Sequence, residues 1–263
     1  MRPRRLPPLA LAALRFTVAG LLLCGLALLL EPASRPKKSD FVPMLGLGLV
    51  GFSLNQGSYI GGLSLTSGSN AALMVATAPV WGLLLGVALR LERARLRSVL
   101  GVVLALIGVG FVVREGPSSP GASLPGDLLV LVSALSLGAY TVLSLPLLRR
   151  YPPLSVAAYP MLIGGVALVP LASADLASMD WGAVGARAWA GAAYSTVLAS
   201  AFAFVAWQRG VSRAGANRTL AYLYLFTLIG VVSSVLLLGE TLGAAKVLGG
   251  CTILAGVYLS RRH

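Results

Sequence analysis

From Phe41 to Leu89 the chain carries no charged side chain. A water-soluble fold has no use for an uncharged stretch of that length, whereas a bilayer does: about 20 apolar residues cross one as a helix, so this stretch holds two spans and a tight turn. Similar apolar runs fill most of the rest of the chain. Charged residues make up 11% of the whole and hydrophobic ones 57%, against roughly 25% charged in soluble domains, and mean hydropathy is +0.86. These figures define an integral membrane protein, with the lipid bilayer as its first partner. The runs are too long and too uniformly apolar for barrel strands, and a helix satisfies its own backbone in lipid. The expected fold is an all-α polytopic helical bundle.

Spans are expected near 9–30, 41–62, 68–90, 98–114, 126–148, 154–174, 188–208, 218–239 and 243–260. The first begins after a basic tail (Arg2, Arg4, Arg5), as a signal peptide would. It contains Arg15, however, and leads into Glu31-Pro32 rather than a small-residue cleavage site. Residues 115–125, rich in Gly, Pro and Ser, read as a linker between a first unit, 1–114, and a second, 126–263.

The two units are copies of one pattern. Asn70, an apolar run with Pro79, then Glu92, Gly101 and Gly108 return as Asn217, an apolar run, Glu240, Gly249 and Gly256. The Glu-to-Gly spacings are identical. Asn70 to Asn217 is an offset of 147 and Glu92 to Glu240 one of 148, so one residue has slipped between them. Pro7-Pro8-Leu9 matches Pro152-Pro153-Leu154, which leaves the span at 126–148 without a partner in the first unit. The expectation is nine transmembrane helices, 4+5, with the first helix of a five-helix repeat missing through a late start or real loss. With the C-terminus inside, the inner loops collect Arg35, Lys37, Lys38; Arg90, Arg93, Arg95, Arg97; Arg149, Arg150; Arg209, Arg213, Arg218; and Arg261, Arg262. The outer side holds Arg2, Arg4, Arg5, Arg114, Arg187 and Lys246. That asymmetry follows the positive-inside rule, and a five-span unit repeated once inserts its second copy upside down, as inverted-repeat transporters do.

The net charge of +13 is therefore a loop charge, and nucleic acid is not an expected partner. Cys24 and Cys251 lie inside apolar runs at a spacing that suggests neither zinc nor a disulfide framework. His263, the single histidine, reads as a solvated tail. No nucleotide-binding loop, metalloprotease motif or Ser/His pair is present, so no cofactor or metal is expected and the chain does not read as an enzyme. No acidic residue lies deep in any expected span, which argues against a buried proton-relay carboxylate.

Arg15 is the most informative residue, because a charge inside a span is costly and marks function by default. Its guanidinium suits a substrate carboxylate or phosphate; the structural alternatives are snorkelling to the interface or tying helices through backbone carbonyls. Asn70, Thr77 and Trp81 share a helix face, and Asn217 and Tyr224 repeat the spacing. Asn55 with Tyr59, Tyr140, and Ser200 with Phe204, Trp207 and Gln208 complete the candidate lining of a polar, aromatic cavity. Interhelical hydrogen bonding or an interfacial aromatic belt are the plainer readings of the same residues. Pro79 should kink its span and could gate a pathway. Glu92 and Glu240 suit capping or loop roles. Gly101, Gly108, Gly249 and Gly256 make smooth faces for helix packing, within the chain or in a homodimer.

These stretches together (Leu-Ala-Ala-Leu-Arg15-Phe, Ser-Asn70-Ala-Ala-Leu with Ala-Pro79-Val and Leu-Glu92, Gly101-Val with Leu-Ile-Gly108-Val-Gly, and Leu-Gly-Glu240-Thr with its glycines) resemble the EamA family of the drug/metabolite transporter superfamily over essentially the whole chain. The resemblance implies a ten-helix fold of two inverted five-helix halves, here minus its first helix, and export or exchange of small metabolites such as amino acids. The chain departs from the pattern at Thr227 and its neighbours, where a proline like Pro79 is usual. The reading is a secondary carrier of a small-molecule substrate working by alternating access; the alternative is a truncated, non-transporting scaffold or partner subunit.

Overall fold

The structure is a computed structural model that describes residues 6–91, 96–114, 123–220, 222–239 and 242–261. Among these residues it is all helix and turn, with no strand. In chain order the helices are α1 (Pro8–Leu30), α2 (Phe41–Gly48), a π-helical segment (Leu49–Leu54), α3 (Asn55–Leu63), α4 (Gly68–Val75), α5 (Ala78–Ala88) and α6 (Leu96–Arg114). The second half gives α7 (Leu124–Leu143), α8 (Leu145–Leu148), α9 (Pro153–Leu168), α10 (Ser173–Ser178), α11 (Ala186–Thr196), a second π-helical segment (Val197–Phe202), α12 (Ala203–Ala214), α13 (Ala216–Leu220), α14 (Leu223–Leu238) and α15 (Ala244–Arg261). Five helical stretches are long and apolar enough to cross a membrane: Pro8–Leu30, Gly68–Ala88, Leu124–Leu148, Ala186–Ala214 and Ala216–Leu237. Shorter apolar helices cover Val99–Val112, Pro153–Leu168 and Ala244–Leu259. The remaining expected span is helical over 41–63, with the first π segment at its middle.

Helix ends differ from the hydropathy reading where local chemistry intervenes. The span expected at 154–174 stops at Leu168, because Pro170 has no N–H to continue the ladder; the chain turns there and restarts as α10. The span expected at 188–208 runs from 186 to 214 and ends only at Gly215, whose φ of 86° no L side chain adopts easily. Hydropathy marks where the lipid ends, not where the helix does. The span expected at 68–90 is two helices rather than one kinked helix. Pro79 cannot donate to the Val75 carbonyl, so the chain breaks at Ala76–Thr77 and α5 restarts with Pro79 in its first turn. In the corresponding span of the second copy Tyr222 is a turn residue immediately before α14.

The two π segments are 148 residues apart, Leu49–Leu54 against Val197–Phe202, which is the Glu92-to-Glu240 offset. A π turn carries an extra residue per turn and is frequent at functional sites. Glu92, Glu240, Arg93 and Arg95 lie outside the described residues, as does most of the expected linker.

The chain forms two compact units that do not coincide with the sequence copies: 1–57 with 143–215, and 58–142 with 216–263. In the first unit α1 lies against α9 at backbone distance. A Cβ on Gly20 would fall 2.5 Å from the Leu162 Cα, and one on Gly165 2.5 Å from the Thr17 amide nitrogen. In the second unit α6 and α15 pack in the same manner. A Cβ on Gly108 would meet the Gly249 carbonyl at 2.7 Å, and one on Gly249 the Gly108 carbonyl at 2.7 Å. Gly256 lies against Gly101 and Ala105. Small residues let helix backbones meet this closely in lipid, where dispersion takes over from the hydrophobic effect.

Candidate functional site

In the first unit the polar centre is built around Arg15. The residue sits seven positions into α1, about 10 Å along the helix, and is half-buried. Its Nη2 donates to Gln56 Oε1 at 3.0 Å, and Gln56 Nε2 donates to Asn55 Oδ1 at 3.0 Å. The guanidinium carbon lies 4.5 Å from the centre of the Phe16 ring, within reach of a cation–π attraction. The Arg15 Nε is buried without a partner. Among the described residues the guanidinium therefore neither reaches for backbone carbonyls nor forms an ion pair: one donor is used, on Gln56, and the group lies over an aromatic ring.

Beneath it Phe16, Phe52 and Phe204 form a closed aromatic cluster. Phe16 meets Phe52 at 5.3 Å and Phe204 at 5.9 Å, and Phe52 meets Phe204 at 4.8 Å. Phe52 belongs to the first π segment, and Phe204 follows the second by two residues. The π turns thus deliver one aromatic from each sequence copy onto α1. Ser200 and Gln208, one turn before and one turn after Phe204, are fully buried, and neither the Ser200 hydroxyl nor either Gln208 amide atom has a partner among the described residues. Asn55 is buried and Trp207 half-buried.

At the loop end of this unit Asp40, 3% exposed, accepts from Arg150 Nη1 at 2.7 Å and from the Tyr151 hydroxyl at 2.7 Å. Tyr151 in turn accepts from the Lys37 amide at 3.0 Å, and Ser155 donates to Glu31 at 2.9 Å. The Lys37 amide lowers the Tyr151 pKa, but the hydrogen bond to Asp40, burial and the Asp40 charge outweigh it, so the phenol is raised above its ordinary value.

The second unit holds a different network. Asp127, in the first turn of α7 and 5% exposed, accepts from Thr66 and from Asn70 Nδ2 at 3.2 and 3.3 Å. Ser67 caps α4 by accepting from the Asn70 amide at 3.2 Å. Lys246, 1% exposed, donates to Ser67 at 3.2 Å and to Ser69 at 3.1 Å. A buried carboxylate and a buried ammonium are thus linked through the start of α4. Asn70 faces this network, and the helix break at Ala76–Thr77 separates it from Thr77 and Trp81. Thr77 donates to the Met74 carbonyl at 2.6 Å and accepts from Trp81 Nε1 at 3.1 Å. Tyr140 is fully buried; Tyr59 and Asn217 are half-buried. The Tyr224 side chain lies outside the described residues. Thr227 donates to Leu223 at 2.9 Å and, across to α4, to the Ala72 carbonyl at 3.2 Å.

Sequence reasoning missed three of these residues. Asp127 and Asp40 were passed over because neither is deep in a span; both are buried by packing instead. Lys246 was counted with the outer loop, yet it lies within α15. The available signal was the polar run Thr66-Ser67-Gly68-Ser69-Asn70 next to an apolar span, which needs partners of its own.

A polytopic helical membrane protein with paired π segments and a half-buried, incompletely bonded arginine has the build of a solute transporter. The chain belongs to the EamA-like transporter family, which matches residues 1–114 and 124–262, and is not an enzyme. An uncharacterized transporter of Archaeoglobus fulgidus is 27% identical, over 97% of this chain and 89% of the relative. A "probable terminal-alkyne amino-acid exporter" of Streptantibioticus cattleyicolor is 32% identical, over 95% of this chain and 82% of the relative. The protein WALLS ARE THIN 1 of Arabidopsis thaliana is 27% identical, over 93% and 72%. A solved crystal structure, 21% identical, superposes with a TM-score of 0.68 over 97% of this chain and 88% of its own, which shows the same fold.

Proposed function

We propose that this protein is a secondary carrier that exports or exchanges amino acids or similar small carboxylates by alternating access. The observation that carries the reading is the Arg15 guanidinium, poised on Phe16 with one donor committed to Gln56 and its Nε buried and unpaired. A guanidinium held this way offers a carboxylate two parallel, charge-assisted hydrogen bonds, and the neighbouring aromatic cluster suits an apolar side chain. The relative named as an amino-acid exporter supports the same substrate class. The π segments at corresponding positions of the two copies support the reading too, because such turns are frequent at functional sites.

In this reading the chain crosses the plasma or inner membrane nine times, the two copies are inserted in opposite senses, and the C-terminus is cytoplasmic. Gly101, Gly108, Gly249 and Gly256 are used between α6 and α15, so we propose a carrier that works as a single chain.

The test is counterflow in reconstituted vesicles with a panel of labelled amino acids and their decarboxylated amines. The reading expects uptake of one or more amino acids, no uptake of the matching amine, and a loss of at least about 100-fold in Arg15→Gln, the scale of two charge-assisted hydrogen bonds. Wild-type rates in Arg15→Gln, or equal transport of the amine, would refute it.

A further inference from the structure

The outer face of α12 carries a groove of about 320 Å³, lined by Phe202, Val205, Ala206, Arg209, Gly210 and Arg213. These positions recur every three or four residues and so form one stripe along the helix. Ala206 and Gly210 make the floor, because they have little or no side chain. Phe202, 67% exposed, and Val205 wall the apolar end, and the two exposed arginines wall the other. Among the described residues neither guanidinium forms an ion pair; the pair that does form is Arg150 with Asp40.

The depth of the groove follows from the helix itself. Arg187 stands at the start of the same helical stretch, 186–214, and twenty-two residues at 1.5 Å each place Arg209 about 33 Å further along. The hydrocarbon core is about 30 Å thick. With Arg187 in one headgroup layer, Arg209 and Arg213 lie in the opposite one, and Phe202 to Ala206 lie just inside the hydrocarbon. Two cations one turn apart at headgroup depth, above an apolar channel that points toward the bilayer centre, match one chemistry.

We propose that this groove binds an anionic glycerophospholipid, its phosphate between Arg209 and Arg213 and the upper part of one acyl chain along Phe202, Val205 and Ala206. A zwitterionic lipid also brings a phosphate, but its ammonium is repelled by the second arginine. An anionic headgroup such as phosphatidylglycerol brings the same phosphate without an ammonium, so its single negative charge is shared by both guanidinium groups. The site is independent of the substrate reading above, because it uses none of the same residues.

The test is native mass spectrometry of the detergent-purified full chain titrated with phosphatidylglycerol or phosphatidylcholine. Saturable phosphatidylglycerol binding is expected, at least about ten-fold tighter than phosphatidylcholine. The double variant Arg209→Ala/Arg213→Ala should bind about 30-fold more weakly, the scale of two basic side chains near a membrane surface, with an unchanged melting temperature. Ala206→Phe, which fills the floor, should weaken binding with both arginines intact. Arg187→Ala, basic but at the other end of the helix, should leave it unchanged, and glycerol phosphate without acyl chains should not compete. Equal affinity for the two lipids, unchanged binding in the double variant or in Ala206→Phe, the same loss in Arg187→Ala, or competition by glycerol phosphate would each overturn the assignment.

Discussion

Asn70 turns its amide nitrogen onto both oxygens of Asp127, at 3.2 and 3.3 Å. The asparagine that marks the repeat in the sequence therefore serves, in the first copy, to hold a buried carboxylate, and the start of α4 joins that carboxylate to Lys246. Hydrogen bonds to a charged group contribute about 1.5–3 kcal/mol each. Asp127→Ala strands the Asn70 amide and the Thr66 hydroxyl and should cost about 3 kcal/mol; Asp127→Asn, which keeps one acceptor, should cost less. Asn70→Ala/Asp127→Ala should fall short of the summed single effects by about 1 kcal/mol, as coupled neighbours do. Melting in detergent, followed by the reactivity of the buried Cys24 thiol in a Cys251→Ser background, measures each. Additive costs would mean the contact carries no energy.

The crossing of α6 and α15 makes a contrast between two nearby glycines. A side chain on Gly108 meets the Gly249 carbonyl at 2.7 Å, whereas one on Gly110 meets nothing within 4 Å. Gly108→Val should destabilise by about 1–3 kcal/mol, the range for overpacking. Gly110→Ala should be neutral or stabilise by up to about 1 kcal/mol through helix propensity. Equal effects on the same melting assay would remove the close approach from the account.

Among the described residues Arg90 is the non-glycine residue with positive φ, at 57°, just after α5. The corresponding C-terminus of α14 uses Gly239, at φ 67°. The left-handed region costs an L residue roughly 1 kcal/mol, so Arg90→Gly should raise stability by up to about that amount, while Arg90→Val should lower it. A lower melting temperature for Arg90→Gly than for Arg90→Ala would contradict this.

Tyr151 supplies a pH dependence. Its pKa is raised in the folded chain, so the folded state holds the phenol proton more tightly than the unfolded chain does. That contribution is complete below the ordinary tyrosine value of about 10 and is lost as pH rises through the folded value. The melting temperature of the wild type should fall more steeply above about pH 10 than that of Tyr151→Phe, and the two should run parallel from pH 7 to 9. Parallel curves throughout would show that the hydroxyl adds nothing through its proton.

The helical class and most of the membrane segments were legible because a charge-free run such as 41–89 has one physical solution. Arg15 was legible for the same reason, as an exception to that rule. The interruption at Pro79 was visible as a missing donor, but the turn at Tyr222 was not, because no proline marks it. The π segments left no sign in composition; they show only as a local change of helical period. Asp127 and Lys246 stayed hidden because hydropathy reads depth along a helix, while their burial comes from packing across helices. The compact units were hidden too, since each combines chain from both sequence copies.

The claim on which the rest depends is that the two copies enter the membrane in opposite senses, and the loops that follow α1 and α9 test it most directly. Lys37 and Asp180 are both exposed and occupy corresponding loops. In a background of Cys24→Ala/Cys251→Ser, a membrane-impermeant thiol reagent applied to intact cells should label Asp180→Cys and leave Lys37→Cys untouched until the membrane is permeabilised. Labelling of both positions from the same side would contradict the account.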